Sequence, residues 1–174
     1  NIMPDNSYLR EIINNSIEFF RCAEMDSLSL WPWGYSRGVA LNSFENKYGK
    51  TLGVVSGIDL VSGMAIALGG KSVKTGSSTG DSDTNLREKL YSSKKLIRDM
   101  DTTIVHINGF DELSHRGDFQ GKIEFIKKVQ NQFLKPLLTN IIASGNCHIT
   151  ITCDHRTDSF TGKHEGGWVP VIKN

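Results

Sequence analysis

Between residues 51 and 153 the chain alternates β-type runs with helical ones, and no other feature restricts its fold as much. "TLGVVSG" is a short β-rich run, "IDLVSGMAIALGG" a mostly apolar helical stretch stopped by glycines, and "KSVKT" is strand-like again. After the polar loop "GSSTGDSDTN", whose Asn/Asp/Thr end can cap a helix, "LREKLYSSKKLIRDM" reads as that helix, with Leu86, Leu90 and Ile97 inward. "TTIVHIN" is a strand. Residues 119 to about 142 place Phe119, Ile123, Ile126, Val129, Phe133 and Leu137 on one helical stripe, and "CHITITC" is a further strand. That order predicts an α/β layered fold with a mostly parallel central sheet, in which ligands gather at the carboxyl ends of strands.

The flanks say less. From Ser7 to about Met25, apolar residues recur at helical spacing behind an Asn/Ser start signal, and residues 27–50 read as irregular with room for one short helix. With 174 residues, 38% apolar and 22% charged, one domain with a real core is expected. A formal charge of +1 offers no broad basic field, so neither nucleic acid nor an anionic membrane is indicated as a partner. Cys22, Cys147 and Cys153 are an odd set, and the last two lie too far apart on one predicted strand to bridge. A reduced, cytoplasmic chain is the expectation. No apolar run approaches the roughly 18 residues of a membrane span, and the amino terminus lacks a signal-peptide layout. The first residue is Asn1 rather than Met, which reads as a processed or truncated piece.

Two strand ends carry metal-ligand chemistry. "TTIVHIN" runs into "GFDELSHRGD", where one helical turn would bring Asp111 and His115 to the same side. "CHITITC" runs directly into Asp154 and His155, with His164 in the loop beyond. Carboxylate plus imidazole suits Zn²⁺ or Mn²⁺, and two such groups side by side suit a paired-metal centre for phosphoryl transfer. Each member alone has a plainer reading, a capping Asp or a surface His, and it is their combination at successive strand ends that points to a metal.

Other candidates weigh differently. His106 and His148 fall inside predicted strands and read as partly buried histidines bonded to backbone. "GGKS" is not a phosphate loop, because that pattern needs glycine where Ala65 stands and the segment follows a helix. "STGDSDTN" is either a solvated turn or an anion-binding nest. In "WPWGYSRG", Arg37 can fork a carboxylate or phosphate, while Trp31 and Trp33 read as packing.

Over about residues 30 to 172 the chain resembles the carboxyl-terminal half of the archaeal-type 2,3-bisphosphoglycerate-independent phosphoglycerate mutases of the alkaline phosphatase superfamily. The resemblance rests on "WPWG", "SFENKYG", "VVSGIDLVSGMA", "STGDSDTN", "VHINGFDELSHRGDFQGKIEFI", "TCDHRT" and "VPVI", in that order and spacing. It implies an alkaline phosphatase-like fold that is partial here, its amino-terminal half missing. Residues 1–29 would be the end of an inserted domain or its return linker, and 30–174 the carboxyl-terminal part of the metal-binding domain. Asp111, His115 and His164 would hold one divalent ion, and Asp154 and His155 would share in a second, Mn or Zn. A serine in the missing segment would carry the phosphoryl group between 3-phosphoglycerate and 2-phosphoglycerate, leaving this chain inactive alone.

Three departures from the family pattern stand out: Ser62 replaces the Lys of "DLVKG", Phe110 stands where Pro precedes the Asp, and Gly167-Trp168 stands where Asp-Pro precedes "VP". They keep open a phosphotransferase or phosphatase acting on another small phosphorylated acid. The missing serine keeps open a non-enzymatic, degenerate metal-binding or interaction module. An apolar face left uncovered by the missing half would favour self-association.

Overall fold

β1 (Leu52–Val55) is buried at every position, as expected of the middle strand of a parallel sheet covered on both faces. A computed structural model describes residues 4–32, 38, 40–144 and 147–174. β1 pairs in parallel with β2 (Lys71–Val73) on one side and with β3 (Thr102–Val105) on the other, giving the order β2-β1-β3. The chain divides into two compact units, Asn1–Ala40 and Leu41–Asn174. In the first, α1 (Ser7–Cys22) starts at Asn6, whose side chain accepts from the Leu9 N–H. Its Ser16 hydroxyl accepts from Leu30 N at 2.9 Å.

In the second unit, successive positions of β1 face opposite sides of the sheet. Leu52 and Val54 meet Ala65 of α3 (Asp59–Ala67), with Phe44 of α2 (Phe44–Tyr48), Val61 and Leu68 around them. Between these two, Gly53 turns the other way: a Cβ there would stand 3.1 Å from Leu96 Cδ1 of α4 (Leu86–Asp99), so the missing side chain is what lets α4 lie close to the sheet. α4 begins as its sequence predicts, with Asn85 accepting from the N–H groups of Arg87 and Glu88. The larger core collects Leu86, Leu113, Phe125, Val129, Phe133 and Leu137.

The long helix is three pieces: α6 (Phe119–Val129), a π-helical turn (Gln130–Leu134) and α7 (Lys135–Ser144). Its buried stripe is Phe125, Val129, Phe133 and Leu137, while Phe119 and Ile126 of the predicted stripe are exposed. Steps of four residues overrun an α-helical turn by roughly 40° each. The wider π-turn takes that drift back, so Phe133 and Leu137 still face the core with Phe125.

One expectation fails. "CHITITC" is not a strand of the parallel sheet: β4 is only Thr150–Thr152 and pairs antiparallel with β7 (Val171–Lys173), Ile151 opposite Ile172. The Thr-Ile-Thr alternation offers a single apolar side chain to one face, which suits a half-exposed ribbon and not a strand covered on both faces. His148 accordingly lies outside the strand and is exposed.

Candidate metal centre

β3 ends at Val105, and its line continues through His106, whose N–H donates to Val55 O. The chain then enters α5 (Gly109–His115), the helical turn that puts Asp111 and His115 on one side. Their contact is His115 Nε2 to Asp111 Oδ2, 3.2 Å. The other candidate donors come with a hairpin of β5 (Arg156–Thr157), which His155 immediately precedes, and β6 (His164–Glu165), with Arg156 opposite Glu165 and Thr157 opposite His164. Directly opposed residues share a face. One face therefore holds the Arg156–Glu165 ion pair at 3.2 Å, and the other presents Thr157 and His164 to Asp111.

The hairpin tip is built by Asp158. Its carboxylate accepts from the Phe160 N–H and the Thr161 hydroxyl, and its carbonyl from the Gly162 N–H. Those bonds keep the Asp158 carboxyl below the ordinary aspartate range, Phe160 N–H contributing most. Gly162 has φ 66°, and a Cβ on it would stand 3.0 Å from His115 O. The approach lets Gly162 O accept from His115 Nδ1 at 2.6 Å. A carbonyl only accepts, so His115 carries its proton on Nδ1 and leaves Nε2 free as a ligand atom.

Imidazole nitrogens and carboxylate oxygens then converge. His115 Nε2 is 3.1 Å from His164 Nε2, and His164 Nε2 is 3.5 Å from Asp111 Oδ1. Asp111, His155 and His164 each offer a ligand atom within 4.8 Å of the others, and the His155 and His164 rings lie 3.9 Å apart centre to centre. Burial pushes the Asp111 carboxyl up, but the Thr157 hydroxyl and the three imidazoles outweigh it, and the net displacement is downward. Asp111 is thereby kept an anion, as a metal ligand must be. Oxygen and imidazole donors at this spacing are the set that Zn²⁺ or Mn²⁺ takes.

Asp154 stands at the rim. Its Oδ2 is 3.5 Å from His155 Nε2, with its side chain 76% exposed. Its charge also reaches His106, which is half-buried with Nδ1 3.2 Å from Ser56 Oγ; burial lowers the His106 pKa and Asp154 opposes it. The ring thus bonds a hydroxyl, where backbone was expected. Arg37 lies outside the described residues.

Three residues around the site escaped the sequence reading. Thr157 Oγ1 is 2.6 Å from Asp111 Oδ1 and 3.2 Å from His155 Nδ1; its position opposite His164 emerges only once the hairpin register is known. Arg116, next to His115, forks Asp81 of the loop at residues 76–85 with two bonds of 2.6 Å. Lys122 donates to Ser114 Oγ at 2.6 Å and to Thr157 O at 3.4 Å, tying α6 to α5 and to the hairpin.

Comparison with known proteins finds a match to the family described as "Metalloenzyme superfamily" over residues 23–173. A probable 2,3-bisphosphoglycerate-independent phosphoglycerate mutase of Geobacter sulfurreducens is 27% identical over 164 residues, which cover 92% of this chain and 41% of that protein. The mutase 1 of Archaeoglobus fulgidus is 34% identical over 130 residues, 75% of this chain and 31% of that protein. The chain thus spans about a third to two-fifths of the length of these relatives. Among solved structures, the PH0037 protein of Pyrococcus horikoshii superposes with a TM-score of 0.67 at 20% identity, over 94% of this chain and 51% of that one. The parallel sheet between helical layers fits the alkaline phosphatase-like fold, of which this chain is a part.

Proposed function

This chain belongs to the Metalloenzyme superfamily, and we propose that it is the carboxyl-terminal part of a metal-dependent phosphoglycerate mutase interconverting 3-phosphoglycerate and 2-phosphoglycerate. The observation that carries this reading is the meeting of Asp111, His115, His155 and His164 from two distant segments, in a chain whose relatives bear the mutase name. Asp111, His115 and His164 are the proposed ligands of one Mn²⁺ or Zn²⁺ ion, and Asp154 and His155 of a second. Ions bound there supply positive charge to a transferring phosphoryl group and lower the pKa of an attacking hydroxyl.

The chain's own part is to hold these donors in place and to keep Asp111 ionised. A serine in another segment of the whole protein is the proposed nucleophile, carrying the phosphoryl group between the two positions of the acid. Residues 1–29 are proposed as the end of an inserted domain or its return linker, residues 30–174 as the remainder of the metal-binding domain, and Arg37 as a substrate contact. The chain itself is proposed to be inactive and, with its free cysteines, to work in the cytoplasm. Exposed Phe160 and Trp168 support self-association of the isolated chain.

The whole protein, supplied with Mn²⁺ and 3-phosphoglycerate, should form 2-phosphoglycerate and stop when the metal is chelated. Absence of interconversion would sink the mutase reading. One observation favours a second reading: Ser62, in place of a lysine, has an enclosed hydroxyl without a hydrogen-bond partner among the described residues. A phosphotransferase or phosphatase for another small phosphorylated acid would release or transfer phosphate without making 2-phosphoglycerate.

A further inference from the structure

Thr157 stands between two of the donors that a metal would use. Its hydroxyl has one proton and two neighbours, Asp111 Oδ1 at 2.6 Å and His155 Nδ1 at 3.2 Å. An ionised carboxylate cannot donate, so the shorter bond uses the Thr157 proton. Toward His155 the hydroxyl oxygen is then left only as an acceptor. The bond at 3.2 Å therefore requires the proton of a neutral His155 to sit on Nδ1, which leaves Nε2 with its lone pair.

Thr157 is itself held from several directions. Its carbonyl accepts from Lys122 Nζ at 3.4 Å, and the same ammonium donates to Ser114 Oγ on the ligand-bearing helix α5. Its register partner across the hairpin is His164. A side chain fixed in this way can fix others.

We propose that Thr157 is a positioning residue, which orients the Asp111 carboxylate and sets the His155 tautomer so that the metal-facing atoms of both are ready before an ion arrives. The inference rests on the reading of Asp111 and His155 as ligands, and it adds a role that hydroxyl chemistry alone can fill. Valine keeps the branched shape of threonine and loses the hydroxyl; serine keeps the hydroxyl.

Two measurements on the chain as it stands decide the matter. Imidazole nitrogen chemical shifts of the metal-free chain, recorded above the ordinary imidazole pKa of about 6.5 and assigned with His155→Gln, should show His155 protonated at Nδ1. Thr157→Val should shift that ring toward a tautomer mixture, and Thr157→Ser should not. Calorimetry with Mn²⁺ or Zn²⁺ should give an affinity about 10–100-fold weaker for Thr157→Val and restored by Thr157→Ser. A wild-type ring protonated at Nε2, or a Thr157→Val chain that binds as tightly as wild type, overturns the proposal. The wild-type shifts serve even if the valine variant fails to fold. A wild-type chain that binds neither ion overturns the metal reading instead, and the nitrogen shifts still show whether Thr157 holds the tautomer.

Discussion

His115 Nε2 and His164 Nε2 stand 3.1 Å apart, although 49 residues separate them in the chain. Two nitrogens bound to one tetrahedral ion at about 2.0–2.1 Å would lie roughly 3.3 Å from each other. The pair is thus already close to the spacing of two ligands on one centre. With His115 protonated at Nδ1, its Nε2 can only accept, so in the metal-free chain the pair is joined by a proton on His164 Nε2; an ion that takes the place of that proton binds both nitrogens at once. Mn²⁺ or Zn²⁺ should therefore raise the melting temperature. A ligand at 100 times its Kd adds about 2.7 kcal/mol, and each kcal/mol moves a chain of this size by about 2–4 °C. His164→Ala should remove the rise, as read by a thermal melt with and without metal; an undiminished rise in the variant would count against the site.

Acid should weaken the fold partly through Asp81. The Arg116 fork, then the Ser82 N–H, holds its carboxyl far below the ordinary aspartate value, and the desolvation that works against them is smaller. Stability from this pair is present above the unfolded value of about 3.9 and is lost as pH falls below it toward the folded pKa. The pair is partly exposed, 48% for Arg116 and 37% for Asp81, so solvent screening keeps its contribution small. In urea melts, Asp81→Asn should be less stable than wild type at pH 7 and should lose less on acidification below about pH 4. Part of the acid slope should persist in the variant, because Asp101 and Asp158 are also depressed by their own hydrogen bonds. Parallel curves for the two chains would show that the fork adds nothing.

Most of the architecture was legible because period and chemistry agree. β1 is an unbroken apolar run with a glycine, α4 opens on a capping Asn, and Asp111 and His115 are spaced for one helical face. β4 is a strand as expected but lies outside the parallel sheet, because Thr150, Ile151 and Thr152 alternate and turn one apolar side chain to one face. What escaped was set by pairing between distant segments. No local pattern marks Thr157 as the neighbour of Asp111, and none shows that Arg116 reaches Asp81, 35 residues away. Lys89 escaped for another reason. It lies on the buried stripe Leu86, Lys89, Ser93 and Leu96, and a charged side chain at such a spacing carries no apolar signal of its burial.

Lys89 is 1% exposed, and among the described residues its ammonium finds only His106 O, at 3.5 Å, and no carboxylate. Burial lowers its pKa to about 8, against about 10.4 in an unfolded chain. Between these two values the unfolded chain binds the extra proton, so stability should rise as pH rises from about 8 to about 10. Below that range the buried charge is a standing penalty on the order of 3 kcal/mol. Lys89→Met, of similar length and apolar, should be at least as stable as wild type at pH 7 and should not show the alkaline rise. Urea melts at several pH values read both. A wild-type curve that is flat or falling over this range, or a methionine variant that shares the rise, would refute the assignment.

Gly109 opens α5 at the point where α6 and the loop at residues 76–85 both press on it. A Cβ there would stand 2.7 Å from Phe125 Cε1, 2.8 Å from Ser82 N and 2.9 Å from Asp81 C. Two of those atoms are backbone of the loop that Arg116 pins through Asp81, so neither can swing aside as a side-chain tip would. An added methyl must push the loop outward or tilt the first turn of α5, and Asp111 is in that turn. Gly109→Ala should thus destabilise the chain by about 1–3 kcal/mol and also weaken Mn²⁺ binding. Gly63, inside α3 with nothing within 4 Å of its would-be Cβ, is the matched control. There alanine should stabilise by about 0.5–1 kcal/mol, because a helix interior disfavours glycine. Urea melts and Mn²⁺ calorimetry on the two variants separate crowding at the site from a general effect of adding a methyl group. If Gly109→Ala matches wild type in both measurements, α5 is not seated against the loop as the structure has it.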